Sequence, residues 1–431
     1  MSISTFLDGR IVLHHGDSRD VLKTLPSESI DSVVTDPPYA LVSIVKRFGA
    51  DGAAPARDGD VYARASAGFI GQRWDTGETA FDPEFWREVL RVMKPGGHLI
   101  AAGGTRTYHR LACAIEDAGF EIRDMISWLY GSGFPKSHDV SKGIDRHNGD
   151  QRPVIGVETL SNDIRGGALL DVAHGVERPA FEREVTSAAS AASAASAASA
   201  ASAAWEGWGT ALKPACEPCV LARKPLAGTV AANVLAYGTG ALNIDGCRID
   251  SEKLVGWAGA GAGAGGNTWH EDNMGLGKDG NPRPVAGRWP ANVIHDGSAD
   301  VVNGFPENAG GSGIASGPSL RGKNNSVARG TFNGLPANID PAFYGDKGSA
   351  SRFFYTAKAN IRDRAGSKHP TVKPIDLMQY LCRLITPPGG IVLDPFAGSG
   401  TLGEAAWREG FSAILIEREA DYVADISARI D

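Results

Sequence analysis

The two ends of this chain alternate strand-like and helix-like segments while the long middle does not, and that contrast limits the available folds more than any other feature. Ile30 to Val34 is a short apolar run closed by Asp36-Pro37-Pro38, the pattern of a buried strand ending in a tight turn. Asp82 to Met93 carries Phe85, Trp86, Val89, Leu90 and Met93 at helical spacing, with Asp82 placed to cap the helix and Pro83 at its first position. Lys94-Pro95-Gly96-Gly97 reads as the stop, His98 to Ala102 as a strand, Tyr108 to Ala118 as a helix and Phe120 to Leu129 as a strand. The alternation returns after Pro374: helix over Ile375 to Ile385, strand over Gly390 to Leu393, helix over Gly403 to Glu409, strand over Ser412 to Ile416 and helix over Ala420 to Ile430. Such alternation implies an α/β fold with a parallel sheet covered by helices, and the simplest architecture joins both ends into one sheet.

The middle, from about residue 140 to 350, is rich in Trp, Asn, Pro and Gly with little periodicity, and reads as an irregular region inserted into the α/β unit. The expected organisation is therefore a first catalytic segment at 1–139, an insertion at 140–350 and a second catalytic segment at 351–431. Ser187 to Ala204 is six exact Ser-Ala-Ala triplets; its alanines allow a marginal helix, but without charge, aromatic residue or apolar stripe to dock it is expected to be a flexible linker or surface insertion. No apolar run approaches the roughly 20 residues a membrane span needs, and five scattered cysteines do not suggest a disulfide framework, so a cytoplasmic protein is expected.

Asp36-Pro37-Pro38-Tyr39 is the strongest chemical signal. In a doubly wound fold, ligands bind beyond the carboxyl ends of the strands, where this tetrapeptide falls. Its prolines stiffen the turn and leave the Asp36 carboxylate and the Pro37 carbonyl as acceptors with no local amide donor at Pro37 or Pro38. Two acceptors suit an exocyclic amine, whose lone pair is delocalised until hydrogen bonds to its protons favour the pyramidal form. Tyr39 offers a flat face for an extruded base.

Leu393-Asp394-Pro395-Phe396-Ala397-Gly398-Ser399-Gly400-Thr401 is the second signal: a strand ending in an acid, a glycine loop and a helix start, where backbone can approach a ligand closely. Gly398, Gly400 and Gly403 fit the dinucleotide spacing with Glu417 as the ribose acid, which indicates an adenosine-containing cofactor without choosing between a nicotinamide and S-adenosylmethionine. No Gly-Lys-Ser or Gly-Lys-Thr follows, which excludes a phosphate-binding P-loop. Cys216-Glu217-Pro218-Cys219 is half of a zinc pattern with no second pair after it, so no metal is expected. The net charge of -7 weighs against a nucleic-acid partner, yet Arg352, Lys358, Arg362, Arg364, Lys368 and Lys373 face only Asp363 along their stretch. The first five of these are the candidate DNA-binding residues, with a solvated charged surface as the alternative.

Together the two motifs resemble those of the amino DNA methyltransferases, and their order, tetrad first and glycine motif last with target recognition between, resembles the permuted subgroup called beta. The resemblance implies a Rossmann-like methyltransferase sheet, S-adenosylmethionine as cofactor and double-stranded DNA as substrate. It implies that Asp36, Pro37, Pro38 and Tyr39 bind the target amine and that Asp394, Phe396, Gly398, Gly400 and Thr401 bind the methyl donor. By the same resemblance Gly16-Asp17 contacts the donor's adenine, Glu417 its ribose, and His369, Thr371 and Lys373 belong to its pocket. An acid at the head of the tetrad is, in that family, commoner among adenine-N6 enzymes than among cytosine-N4 ones. A homodimer and a cognate restriction nuclease are left open as partners.

Overall fold

A computed structural model of the chain describes residues 2–39, 79–133, 137–149, 154–160, 181–186, 197–249, 287–307, 348–357, 360–367 and 372–431. The N-terminal part runs β1 (Ser2–Phe6), β2 (Ile11–His15), α1 (Ser18–Thr24), β3 (Ile30–Thr35), α2 (Pro83–Val92), β4 (Met93–Ala102), α3 (Tyr108–Asp117) and β5 (Glu121–Leu129). The middle supplies α4 (Val140–Asn148), β6 (Val154–Leu160), β7 (Phe181–Thr186), α5 (Ala197–Ala204), β8 (Cys216–Arg223), α6 (Val230–Tyr237) and β9 (Val293–His295). The last part supplies β10 (Tyr355–Thr356), α7 (Ile375–Ile385), β11 (Ile391–Asp394), α8 (Thr401–Arg408), β12 (Ser412–Glu417) and α9 (Ala420–Ile430).

One sheet has the order β1-β2-β12-β11-β3-β4-β8-β5-β9-β10, and β6 pairs only with β7. From β2 to β4 all neighbours are parallel, and β11 sits directly beside β3, with Val392 opposite Ser32 and Leu393 opposite Val33. The two ends of the chain thus interleave in one sheet, as the alternation predicts. Side chains of β3, β4 and β11 alternate between two buried clusters, one on each face: Val34, Ile100 and Val392 join the cluster beneath α7, whereas Val33, Leu99 and Leu393 join the one beneath α2 and α3. Asp82 caps α2 by accepting from the Glu84 amide, with Pro83 at the first turn.

Three expectations need correction. The sheet is not wholly parallel: β8 runs antiparallel to both β4 and β5, and β1 antiparallel to β2. Strands β8 and β9 also come from within 140–350, so that stretch supplies part of the main sheet. Lys94-Pro95-Gly96-Gly97 does follow the end of α2, but the next strand does not wait for His98: β4 already begins at Met93, and the tetrapeptide is its irregular start, where the register shifts between Ile30 and Ser32. Gly96 adopts a φ of 77°, and a Cβ there would lie 2.4 Å from Asn233 Nδ2. Asn233, wholly buried on α6, donates 2.8 Å bonds to the carbonyls of Pro95 and Thr239 and accepts from the Ala227 amide, so the Pro95 carbonyl in the irregular stretch is not left unpaired.

The end of the triplet repeat is not a linker. Ala197–Ala204 is helix α5, packed on α4, with Ser202 and Ser141 both fully buried. Ser141 Oγ donates to the Ser202 carbonyl at 2.8 Å. Ser and Ala side chains are small enough to let two helices approach closely without an apolar stripe, which is why the periodicity gave no warning. Residues 187–196 lie outside the described residues.

Candidate active site

Strands β3, β11 and β12 point their carboxyl ends at the same edge of the sheet, so the tetrad, the glycine loop and Glu417 emerge side by side although more than 350 residues separate the first two in sequence. Thr35 ties them together: its Oγ1 donates to Asp394 Oδ1 at 2.7 Å. One cavity opens over this edge. Of the predicted residues it is lined by Asp17, Asp36, Pro37, Pro38, Tyr39, Lys373, Asp394, Phe396, Gly398, Thr401 and Glu417. Thr79, Met378 and Tyr422, which sequence reasoning did not single out, complete parts of the wall.

The donor side is built mostly from backbone. The Phe396 amide donates to Asp394 Oδ1 at 3.0 Å and the Gly398 amide to Glu417 Oε2 at 2.8 Å. The Glu419 amide reaches the other oxygen of Glu417 at 2.8 Å, so this carboxylate shapes the loop before any ligand arrives. Gly398 and Gly400 have φ of 54° and 76°, in the left-handed region, and Gly400 caps α8 rather than lining the cavity. A Cβ on Gly403 would lie 2.8 Å from Leu415, so the third glycine lets α8 lie close on β12. Asp17 likewise caps α1, accepting from the Arg19 amide at 2.9 Å, while still facing the cavity. Burial pushes the Asp394 carboxyl up to about 7, against the hydrogen bonds from Thr35 and Phe396, and burial also raises Glu417.

The amine side is a compact polar cluster. Tyr39 Oη donates to Asp36 Oδ1 at 2.8 Å, and the Thr107 hydroxyl donates to the Tyr39 carbonyl at 2.8 Å. Lys373 Nζ donates to Asp36 Oδ2 at 2.7 Å and to Tyr39 Oη at 2.9 Å. It lies 2.9 Å from Glu217 Oε1 as an ion pair, off the direction of a good hydrogen bond. Burial would lower the Lys373 ammonium, but Asp36 and Glu217 outweigh it and hold it above its usual value. Burial raises the Glu217 carboxyl, with Lys373 opposing, and burial followed by Asp36 raises the Tyr39 phenol, which stays neutral.

Two placements add to the sequence reading. Lys373, assigned to the donor pocket by resemblance, lines the shared cavity and also bonds Asp36 and Tyr39 of the tetrad. Glu217, noticed only as filler between two cysteines, is a buried acid on β8 that faces the tetrad. The available signal was an acid heading an apolar strand, Cys216-Glu217-Pro218-Cys219-Val220-Leu221-Ala222, since buried acids are rare unless paired. Among the described residues no group of three or more His, Cys, Asp or Glu could hold a metal ion, and no helix is long and apolar enough to cross a membrane.

His369, Thr371, Lys358 and Lys368 lie outside the described residues, as does the side chain of Arg362, whose backbone is in a short turn of helix. Arg352 donates to the Ser349 carbonyl and lies over the Phe353 ring, 4.6 Å from its centroid. Arg364 is half-buried, and burial lowers its guanidinium.

Residues 30–147 and 288–428, well over half of the chain, match the N6/N4-type family described as DNA methylase. Over 69 residues, 16% of this chain, it is 42% identical to the type II methyltransferase M.HinfI of Haemophilus influenzae and 38% identical to the type II methyltransferase M2.DpnII of Streptococcus pneumoniae. The matched part spans 19% and 26% of the length of those two proteins. Among solved structures, the cytosine-N4-specific PvuII DNA methyltransferase aligns over 97% of this chain and 86% of its own, at 15% identity and a TM-score of 0.40. A putative DNA modification methylase of Thermus thermophilus aligns over 97% and 93%, at 15% identity and a TM-score of 0.37.

Proposed function

Because the chain belongs to the N6/N4 DNA methylase family, we propose that it moves a methyl group from S-adenosylmethionine to the exocyclic amine of a base flipped out of duplex DNA. The observation that carries this reading is the cavity that the tetrad and the glycine loop share across adjacent strands. Its charge supports the donor: Asp17, Asp36, Asp394, Glu417 and Glu419 face Lys373 and Arg418. An acid-rich wall suits a sulfonium cation and opposes the pyrophosphate of a nicotinamide dinucleotide, which disfavours an oxidoreductase built on the same glycine spacing.

S-adenosylmethionine would supply an electrophilic methyl group on sulfur, held by the glycine loop, with Asp17 and Glu417 as acceptors for its adenosine. Asp36 and the Pro37 carbonyl accept the two amine hydrogens, and Tyr39 gives the base a face to stack on. Catalysis is then positioning and electrostatics, with the amine proton passing to Asp36 or water and no covalent enzyme intermediate. The order of the motifs supports the beta-type arrangement, and Asp36 at the head of the tetrad supports adenine N6 over cytosine N4. Isothermal calorimetry with S-adenosylmethionine and NAD, followed by assay of duplex methylation, tests the reading. Binding of the first ligand only, with methyl transfer to duplex DNA, is expected; binding of NAD only would overturn it.

A further inference from the structure

We propose that Glu217 is a positioning residue for methyl transfer: it holds Lys373 on Asp36 and sets the net charge of the amine site at minus one. This deepens the reading above and rests on it. The geometry is that of one ammonium between two carboxylates, with Lys373 Nζ 2.7 Å from Asp36 Oδ2 and 2.9 Å from Glu217 Oε1. Glu217 does not line the cavity, so it acts through Lys373 and not on a substrate.

Lys373 and Glu217 differ in how they are held. Lys373 lies in the loop before α7, whereas Glu217 is fixed within the sheet, opposite Trp128 of β5. An ammonium on a loop needs an anchor to stay at one carboxylate oxygen, and a rigid strand supplies it. With Glu217 in place, the cluster of Asp36, Glu217 and Lys373 carries two negative charges and one positive.

That charge matches the reaction. As the bond from nitrogen to methyl carbon forms, the bond from sulfur breaks and leaves its electron pair on sulfur. The positive charge passes to the amine, which then loses a proton to Asp36. Taking that proton brings the cluster from minus one to zero. Without the Glu217 charge the same step would take a buried cluster from zero to plus one, which burial opposes.

Other titratable groups face the cluster. Asp394 lies on the adjacent strand β11, and Cys216, Cys219 and Tyr130 lie on or beside β8 and β5. Burial raises both thiols and the phenol, so none adds a charge near neutral pH. Asp394 is present in wild type and variant alike, so the difference between their pH profiles reports the changed charge of the cluster.

The test measures kcat, KM for S-adenosylmethionine and the pH profile of kcat on duplex DNA for wild type, Glu217→Gln and the double variant Glu217→Gln with Lys373→Gln. For the single variant kcat is expected to fall roughly tenfold or more, with the acid limb moved down by about one pH unit and the donor KM nearly unchanged. The double variant, again at minus one, is expected to bring the acid limb back to or above its wild-type position. A purely structural role would lower kcat without moving the limb and would make the two substitutions add. An unmoved limb in Glu217→Gln, or a double variant no closer to wild type, would overturn the proposal and leave the methyltransferase reading intact. If Glu217→Gln does not fold, the double variant decides by its limb alone: a limb below wild type overturns the proposal. A wild-type protein that methylates no duplex would overturn both.

Discussion

Tyr39 and Lys373 engage one oxygen each of Asp36, so an incoming amine must share a carboxylate that is already oriented. Asp36→Ala should therefore reduce methylation by roughly 100-fold or more while donor affinity stays near wild type, as calorimetry would read. An equal loss of both would move Asp36 into the donor site or the fold. Asp394 makes a different demand. Its carboxyl is raised to about 7 in the folded protein from a reference of 3.8, so its contribution to stability is full below the lower value and is lost as pH rises through the upper one. Asp394→Asn keeps an oxygen for Thr35 and Phe396 but cannot ionise. Its melting temperature relative to wild type should climb between those two pH values and level off above; a flat difference would show that the carboxyl ionises normally. At this scale the tetrad and glycine motif were legible because each is local in sequence. Glu217 was not, because its pairing with Lys373 spans 156 residues and depends on where β8 enters the sheet.

Local elements carry their own surprises where the sequence lacks a periodic apolar face. Helices α2, α3, α7 and α9 fall within a residue or two of their predicted limits, since each pairs helical spacing with a buried stripe. Helix α5 has no such stripe and is held by α4, with Ser141 donating to the Ser202 carbonyl. Deleting 197–204 should lower the melting temperature by several degrees, whereas deleting the triplets at 187–195 should change it little; equal effects would show that α5 contributes nothing by docking on α4. In β8 two cysteines three apart imitate half a zinc pattern, yet its antiparallel pairing with β4 and β5 explains the run of buried residues that follows. Asn233→Ala removes one bond to Pro95 in the irregular start of β4 and two more that hold Ala227 and Thr239 at the ends of α6. It should cost about 1–3 kcal/mol in denaturant unfolding, and a cost near zero would mean that water replaces the asparagine.

Over the whole molecule, an α/β sheet closed from both ends was readable from alternation alone, because parallel strands need helical crossovers and those have a strong periodicity. The contribution of the middle to that sheet was not, since β9 has only three residues and β8 carries Pro218 and a cysteine pair that mask its strand pattern. On the proposed function, a chain of net charge -7 would have to hold DNA through local patches. We propose that Lys358 and Lys368, of the basic stretch, contact phosphate. Replacing both with alanine should weaken target and non-target duplex alike and lower the salt slope by roughly one unit per contact; an unchanged slope would remove them from the DNA path. The central claim is that two motifs at opposite ends of the chain form one site for methyl transfer to a base amine. It is tested most directly by incubating duplex DNA with the full chain and S-adenosylmethionine bearing a deuterated methyl group, then identifying labelled nucleosides by mass spectrometry. Labelled N6-methyladenine with the wild type and none with Asp36→Ala is the expected result. Label on carbon 5 of cytosine, or no label in DNA although the donor binds, would contradict the account.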